Sequence, residues 1–447
     1  MSSGRSSGEV SHNDIHRDSG MKTVFALVDC NNFYASCEKL FRPDLRDTPV
    51  IVLSNNDGCV VARSKEAKAL GIKMGVPVHQ IKSEIRQYGI QLFSSNYTLY
   101  GDMSHRVMIT LEALAPRVDV YSIDEAFLDI TGIDKAVSFA DFGRQVKDTV
   151  DQNVGLPVCV GIAPTRTLAK LANYAAKKFA STKGVVDLTD STRQRRLLAI
   201  VPVEEVWGVG RKLSVKLQAM GITNALQLAD TDLATLRKRF SVVLERTARE
   251  LNGTACIAWD DAPPPKKQIM CSRSFGQPLQ SLPDLEKAVA HYATRATEKL
   301  RGGQQFAGEL IVFIRTNPFR TNVAQYSKSA SVKLVNSTQD SRLIVQQALG
   351  QLRSIYRSGY DYAKAGVMLS ELVDETGLQE DLFEPFGIEN PGRAKSERLM
   401  AVMDEINRKS RATLCMARAA GPTAYAMRRE HLSPAYTTDW AALPKVR

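Results

Sequence analysis

Asp29, Asp124 and Glu125 are the first residues of this chain whose types and placement suggest chemistry. Val24-Phe25-Ala26-Leu27-Val28 is an unbroken apolar run, the pattern of a buried strand, and Asp29 closes its C-terminal end. Asp124-Glu125 interrupts Tyr121-Ser122-Ile123-Asp124-Glu125-Ala126-Phe127-Leu128-Asp129. Neighbours on a strand point to opposite faces, so one of this pair would face the core. A core does not hold a bare carboxylate, so the pair sits at a turn or faces a cation. Carboxylates converging within ~4–5 Å repel by some kcal/mol unless a divalent ion neutralises them. Two Mg²⁺ ions ~3.5–4 Å apart, bridged by such acids, form the phosphoryl-transfer centre of polymerases and nucleases. Spacing alone leaves that reading beside a plainer one, three exposed and unrelated acids.

Other apolar runs supply a frame for these groups. Pro49 to Leu53 reads as a strand followed by a turn, Ser54-Asn55-Asn56-Asp57-Gly58, and Lys65 to Leu70 as a helix closed by Gly71. Val118 to Ile130 is β-rich, and Leu156 to Ile162 is a further buried strand. Leu168, Leu171, Ala172 and Ala175 give Thr167 to Phe179 a helical period. Short helices with glycine turns follow over 190–258, and Ala262-Pro263-Pro264-Pro265-Lys266-Lys267 is a stiff linker. Strands (Leu310 to Ile314, Ala330 to Leu334, Gly366 to Leu369) and helices (Leu285 to Leu300, Arg342 to Tyr356) make 269–375 a separate α+β module. Periodicity weakens after about 375.

The 447 residues suffice for several domains, and a net charge of +11 favours polyanionic partners, nucleic acid ahead of a membrane surface. No apolar stretch reaches the ~18–20 residues of a spanning helix. Seven cysteines without a Cys-x-x-Cys pair support neither a disulfide framework nor a zinc cluster, and point to a reducing cytosol. Val206-Trp207-Gly208-Val209-Gly210-Arg211-Lys212-Leu213 has the form of a hairpin whose backbone N–H groups reach a phosphate. Over 211–250 eight Lys and Arg face four Asp and Glu, which suits a duplex backbone contact without base reading.

Asp29-Cys30-Asn31-Asn32-Phe33-Tyr34-Ala35-Ser36-Cys37-Glu38 and Ser122-Ile123-Asp124-Glu125-Ala126-Phe127 together resemble the two catalytic motifs of Y-family DNA polymerases. Leu53-Ser54-Asn55-Asn56-Asp57-Gly58-Cys59-Val60 and Phe93-Ser94-Ser95-Asn96-Tyr97 narrow the resemblance to the branch acting in SOS mutagenesis. It runs from about Met21 into the C-terminal region. The resemblance implies an α+β multidomain right hand: palm (21–38 and 99–187), small fingers (39–98), helical thumb with helix-hairpin-helix (188–261), linker (262–268), little finger (269–375) and C-terminal tail (376–447). Residues 1–20 read as an upstream extension or expression remnant.

The activity so implied is error-prone template-directed DNA synthesis across lesions by two-metal nucleotidyl transfer. Asp29, Asp124, Glu125 and the Cys30 backbone carbonyl would hold two Mg²⁺ ions. Tyr34 falls at the family's steric gate against ribonucleotides, and Phe33 at an aromatic beneath the nucleotide. Lys177 and Lys68 would bind triphosphate; Lys68 stands where other branches carry arginine, and as a point charge it loses the bidentate grip. Gly208, Gly210, Arg211 and Lys212 would hold the DNA backbone, and Lys328 and Lys333 could lie on a DNA-facing strand of the little finger. Gln379, Leu382 and Phe383 resemble a sliding-clamp peptide. Implied partners are primed template DNA, deoxynucleoside triphosphates, the sliding clamp, a UmuD′ dimer and RecA, with no membrane, in the bacterial cytoplasm at the nucleoid. Two other readings are a non-catalytic DNA- and clamp-binding replication regulator, disfavoured by the Asp29, Asp124, Glu125 and Tyr34 set, and a two-metal nuclease or cyclase on a related palm; the hairpin and second DNA clamp disfavour a cyclase, and a hydrolase has no use for a sugar gate.

Overall fold

The computed structural model describes residues 23–257, 259, 265–377, 391–409, 414–420 and 425–443. The first half of the chain is organised on two sheets. β1 (Phe25–Cys30) leads into α1 (Phe33–Leu40), then β2 (Val50–Leu53), β3 (Val60–Arg63), α2 (Lys65–Ala69), α3 (Lys82–Tyr88) and β4 (Gln91–Ser94). After α4 (Tyr97–Glu112) come β5 (Arg117–Val120), β6 (Glu125–Asp129), α5 (Phe139–Val154), β7 (Val158–Ala163), α6 (Arg166–Lys178) and β8 (Val185–Asp187). The larger sheet has the order β5-β6-β1-β7-β8, and β3-β2-β4 forms a smaller one beside it.

Alternation along β1 assigns its residues to two cores. Ala26, Val28 and Cys30 join the cluster under α1, α4 and α5, whereas Phe25 and Leu27 join the cluster under α6. Asp29 therefore shares the α6 face. The helix lies unusually close to the sheet because β7 offers Gly161 there: an added Cβ would meet Asn173 N at 2.2 Å and Ala169 O at 2.4 Å. Asn173, 3% exposed, then donates from Nδ2 to Leu27 O and Cys159 O at 3.3 and 2.8 Å, which fixes the rotation of α6 over β1.

Five short helices follow, α7 (Ser191–Ile200), α8 (Arg211–Gln218), α9 (Ala225–Asp230), α10 (Leu233–Arg239) and α11 (Val242–Leu251), and share the α6 core. Buried Glu250 of α11 accepts from Thr167 N at 3.0 Å and from Cys256 N at 2.7 Å, tying this bundle to the start of α6. Of the linker expected at 262–268, residues 262–264 lie outside the described residues.

The last module contains β9 (Ile269–Leu279), α12 (Leu282–Gly302), β10 (Phe306–Thr316), β11 (Ser327–Thr338), α13 (Ser341–Ile355) and β12 (Tyr362–Val373). Its antiparallel sheet runs β11-β10-β12-β9. The strands are longer than the apolar runs suggested, and β9 has no such run because only Ile269, Phe275 and Leu279 along it are buried. The weakly periodic region after 375 includes a helix, α14 (Pro391–Lys409), docked by an Arg301 fork on Asp404 at 2.6 and 2.7 Å.

Candidate active site

Register pairing places Asp29 of β1 directly opposite Glu125 of β6. Asp124 lies just before the strand, in a turn closed by Tyr121 N and Ser122 N donating to Glu125 O at 3.1 and 3.0 Å. Both expectations for the pair are thus met at once: Asp124 occupies a turn, and Glu125 faces cations. Lys177 Nζ sits 2.6 Å from Asp29 Oδ1, and Lys170 Nζ sits 2.6 Å from Glu125 Oε2. These lysines are two helical turns apart on α6, so one face of the helix delivers both. Lys170 also lies over the Tyr121 ring at 4.1 Å and the Trp207 ring at 5.1 Å. Sequence reasoning missed Lys170; its seven-residue spacing from Lys177 was the available signal.

Asp29 is 6% exposed. Burial drives its carboxyl well above the ordinary range; Lys177 opposes this, and a hydrogen bond with Glu125 adds to it. Burial also acts upward on Glu125, but the bond with Asp29 and the Lys170 ion pair outweigh it and hold Glu125 low. The two facing acids are thus pushed in opposite directions, Asp29 up and Glu125 down. Asp124 accepts from Ser122 Oγ at 2.6 Å, and its carbonyl accepts from Cys30 N at 2.9 Å. Among the described residues no three His, Cys, Asp or Glu side chains stand together at metal-holding spacing. Asp29 and Glu125 nevertheless fit a divalent ion: two oxygen donors side by side in register, one of them buried, borrow their counter-charge from lysines.

Beyond Asp29 the chain turns sharply through Asn32, at φ 54°, and starts α1. Lys68 of α2 donates to Asn32 Oδ1. Its ammonium is held below the usual lysine range by desolvation, then by Arg63 and Lys177. Lys68 and Lys177 thus form a cationic rim by the acids, with Arg63, unforeseen, beside Lys68 and donating to Ile72 O. Lys65 is exposed nearby at the start of the same helix.

Tyr34 stacks on Tyr100, centroids 4.3 Å apart at 13°, and meets the Tyr97 edge at 6.1 Å. Phe33 is buried against both Tyr34 and Tyr100. Gly208, Gly210, Arg211 and Lys212 are all exposed. Gly208 has φ 88°, the left-handed turn a glycine provides, and space around Gly210 is open. The element before this hairpin is a single 3₁₀ turn, Val203–Glu205, rather than a full helix. Trp207, at the hairpin, packs edge-on to Tyr121 at 5.5 Å, linking the hairpin to the acidic turn. Lys328 and Lys333 separate: Lys328 pairs with core-facing Ile314, and Lys333 with Glu309 on the opposite face. Five positions along a strand reverse the direction, so a single surface cannot use both. Lys333 also pairs with Glu371 at 3.2 Å. Gln379, Leu382 and Phe383 lie outside the described residues.

A Y-family DNA polymerase chimera (Dbh-Dpo4(243-245)-Dbh) aligns with a TM-score of 0.61 and 20% identity, covering 78% of this chain and 99% of that one. The fold is that of a Y-family DNA polymerase. Residues 28–174 match the impB/mucB/samB family, 266–382 its C-terminal domain, and 397–446 a domain of unknown function, DUF4113. Protein SamB of Salmonella typhimurium is 51% identical, and Protein UmuC of the LT2 strain of that species 50% identical, each over 95% of this chain and 100% of its own length. DNA polymerase IV of Caulobacter vibrioides is 27% identical over 83% of this chain and 88% of its own. The chain belongs to the impB/mucB/samB family of UmuC-like translesion polymerases. It is a metal-dependent, DNA-directed DNA polymerase acting on DNA and deoxynucleoside triphosphates. Among the described residues no helix is long and apolar enough to cross a membrane.

Proposed function

We propose that this polymerase carries out error-prone synthesis across lesions in SOS mutagenesis, with Asp29, Asp124 and Glu125 as its catalytic carboxylates. The observation carrying this reading is the Asp29–Glu125 register pair under Lys177 and Lys170. The primer 3′-oxygen attacks the α-phosphorus of the incoming nucleotide, the bond to the β-phosphate breaks, and pyrophosphate leaves. Two Mg²⁺ ions, held by the three carboxylates and the Cys30 carbonyl, would supply Lewis-acid activation of that hydroxyl and charge neutralisation on the triphosphate. Lys177 moves from Asp29 to the triphosphate, joined there by Lys68. The Tyr34 ring, backed by Tyr100, leaves no room for a ribose 2′-hydroxyl, and Phe33 supports it from within the core. Arg211, Lys212 and the N–H groups around Gly208 and Gly210 grip duplex phosphates. The palm, fingers, thumb and little-finger boundaries given above, the two-ion count, and the UmuD′, RecA and sliding-clamp partners belong to the same proposal.

Primer extension on an abasic template with Mg²⁺, UmuD′ and activated RecA tests it, beside Asp124→Ala. Extension past the gap by the wild type alone is expected. Extension by neither protein, with DNA still bound, would favour a replication regulator; template cleavage would mean a different phosphoryl acceptor.

A further inference from the structure

The C-terminal segment 425–439, within the stretch matching a domain of unknown function, is threaded across the rest of the polymerase. Tyr425 is buried in the little-finger core, and Ala426 O crosses Gly276 of β9 so closely that an added Cβ would lie 2.6 Å from it. Arg428 N then donates to Asn56 Oδ1 at 2.9 Å, while Asn56 Nδ2 donates to Ser274 O and Phe275 O at 3.0 and 3.2 Å. One side chain in the β2–β3 turn thereby joins three parts of the chain. Glu430 N donates to Asp57 Oδ2 at 2.8 Å, and His431 N to Ser94 Oγ at 3.0 Å. Tyr436 ends the path stacked on Phe41, centroids 4.6 Å apart.

Midway along, the segment enters the buried interior behind α1. Ser433, 7% exposed, donates from Oγ to Glu38 Oε1 at 3.1 Å. The same oxygen of Glu38 accepts from Tyr100 Oη at 2.6 Å. Tyr100, fully buried, is the ring on which Tyr34 stacks. Asn96, the N-cap of α4, holds Ser433 from the other side, donating from Nδ2 to its Oγ at 3.0 Å and its carbonyl at 3.2 Å. A tail residue thus reaches the proposed sugar gate through two hydrogen bonds and one ring stack.

We propose that Ser433, acting through Glu38 and Tyr100, is a positioning residue for the Tyr34 ring, so that the C-terminal segment takes part in rejecting ribonucleotides. The inference rests on the reading of Tyr34 as the gate. Ser433 touches no substrate; it supplies the second donor that holds the Glu38 carboxylate, and with it the Tyr100 hydroxyl, in one place. Tyr100 can then shift under Tyr34 when that donor is lost, opening space where a 2′-hydroxyl would sit.

The test is single-nucleotide insertion of dCTP and CTP opposite template dG by the full chain with UmuD′ and activated RecA. Ser433→Ala is expected to narrow the dCTP-to-CTP ratio of kcat/KM by roughly two- to tenfold, the worth of one hydrogen bond. The change should fall mainly on the KM for CTP, and Ser433→Thr should restore the ratio. Asn96→Asp keeps the helix cap but loses the donor to Ser433, and is expected to act in the same direction even where Ser433→Ala melts too early to assay. Equal losses for both nucleotides would mark a merely structural segment and overturn the inference, as would an unchanged ratio in both variants. Tyr34→Ala separates the two levels. If it relaxes selection while the Ser433 and Asn96 variants do not, the inference alone fails; if it leaves the ratio intact, the gate reading fails and takes the inference with it.

Discussion

Replacing Glu38 by glutamine should remove a pH-dependent weakness from the core. Glu38 is 0% exposed, accepts from Tyr100 and Ser433 through Oε1, and leaves Oε2 without a partner. Burial, only partly offset by those two hydrogen bonds, pushes its carboxyl from the ordinary 4.5 up to about 7. The folded state therefore holds the proton more tightly than the unfolded chain, and stability falls as pH rises between those values. Each tenfold difference in proton affinity between the two states is worth ~1.4 kcal/mol, so the loss is of order 3 kcal/mol and is complete above pH about 7. Glutamine keeps the acceptor for Tyr100 and Ser433 and never ionises. Urea denaturation of wild type and Glu38→Gln at pH 5 and pH 8 reads the difference. The two proteins should match within about 1 kcal/mol at pH 5, and the variant should be more stable by up to about 3 kcal/mol at pH 8. Parallel pH slopes for the two proteins would refute the argument, because they would mean that Glu38 titrates normally.

Further outcomes follow from other contacts. Lys177→Ala removes a cation 2.6 Å from Asp29 and a proposed triphosphate contact; kcat/KM for dNTP insertion should fall at least about tenfold, measured with saturating primer-template. Gly161→Ala forces a Cβ to within 2.2 Å of the α6 backbone, which cannot yield as a side chain would. It should cost about 3 kcal/mol or more and appear as a lowered melting temperature or loss of soluble protein. Arg211→Ala with Lys212→Ala should weaken primer-template binding for all sequences alike and reduce the salt slope of log K by about 2, in a fluorescence-anisotropy titration at several salt concentrations.

Much of the frame was legible in one dimension because its signals are local. An all-apolar run ending in Asp29 has the pattern of a buried strand, and β1 is buried at every position. Helix α6 announced itself by period, and the turn at 54–58 by its Asn-Asn-Asp-Gly composition. The three acids drew notice by their places at strand ends and Tyr34 through the resemblance alone, and the structure brings Asp29 and Glu125 together as antiparallel partners. Lys170 and Arg63 were not found, since a lysine or arginine on a helix or strand reads as solvated until a docking partner is known. The helix α14 is tied to the little-finger module by Arg301–Asp404 and by Ser396 on Asp340, partners that no local pattern reveals.

The C-terminal segment shows the same limit most sharply. It has neither the period of a helix nor the alternation of a strand, because its order comes from hydrogen bonds to Asn56, Asp57, Ser94 and Asn96, more than 330 residues earlier. The order of residue types by itself determined the candidates, acids at strand ends and a glycine hairpin with basic residues beside it, and their resemblance to a family's motifs supplied the kind of chemistry. Only the tertiary structure decided which cations neutralise those acids, that Asp29 and Glu125 face each other, and that a serine near the end of the chain reaches the ring behind Tyr34. The physical reason is range. Local pattern reports what a segment buries, whereas charge pairing and hydrogen-bond partners are set by whatever the folded chain brings across from elsewhere.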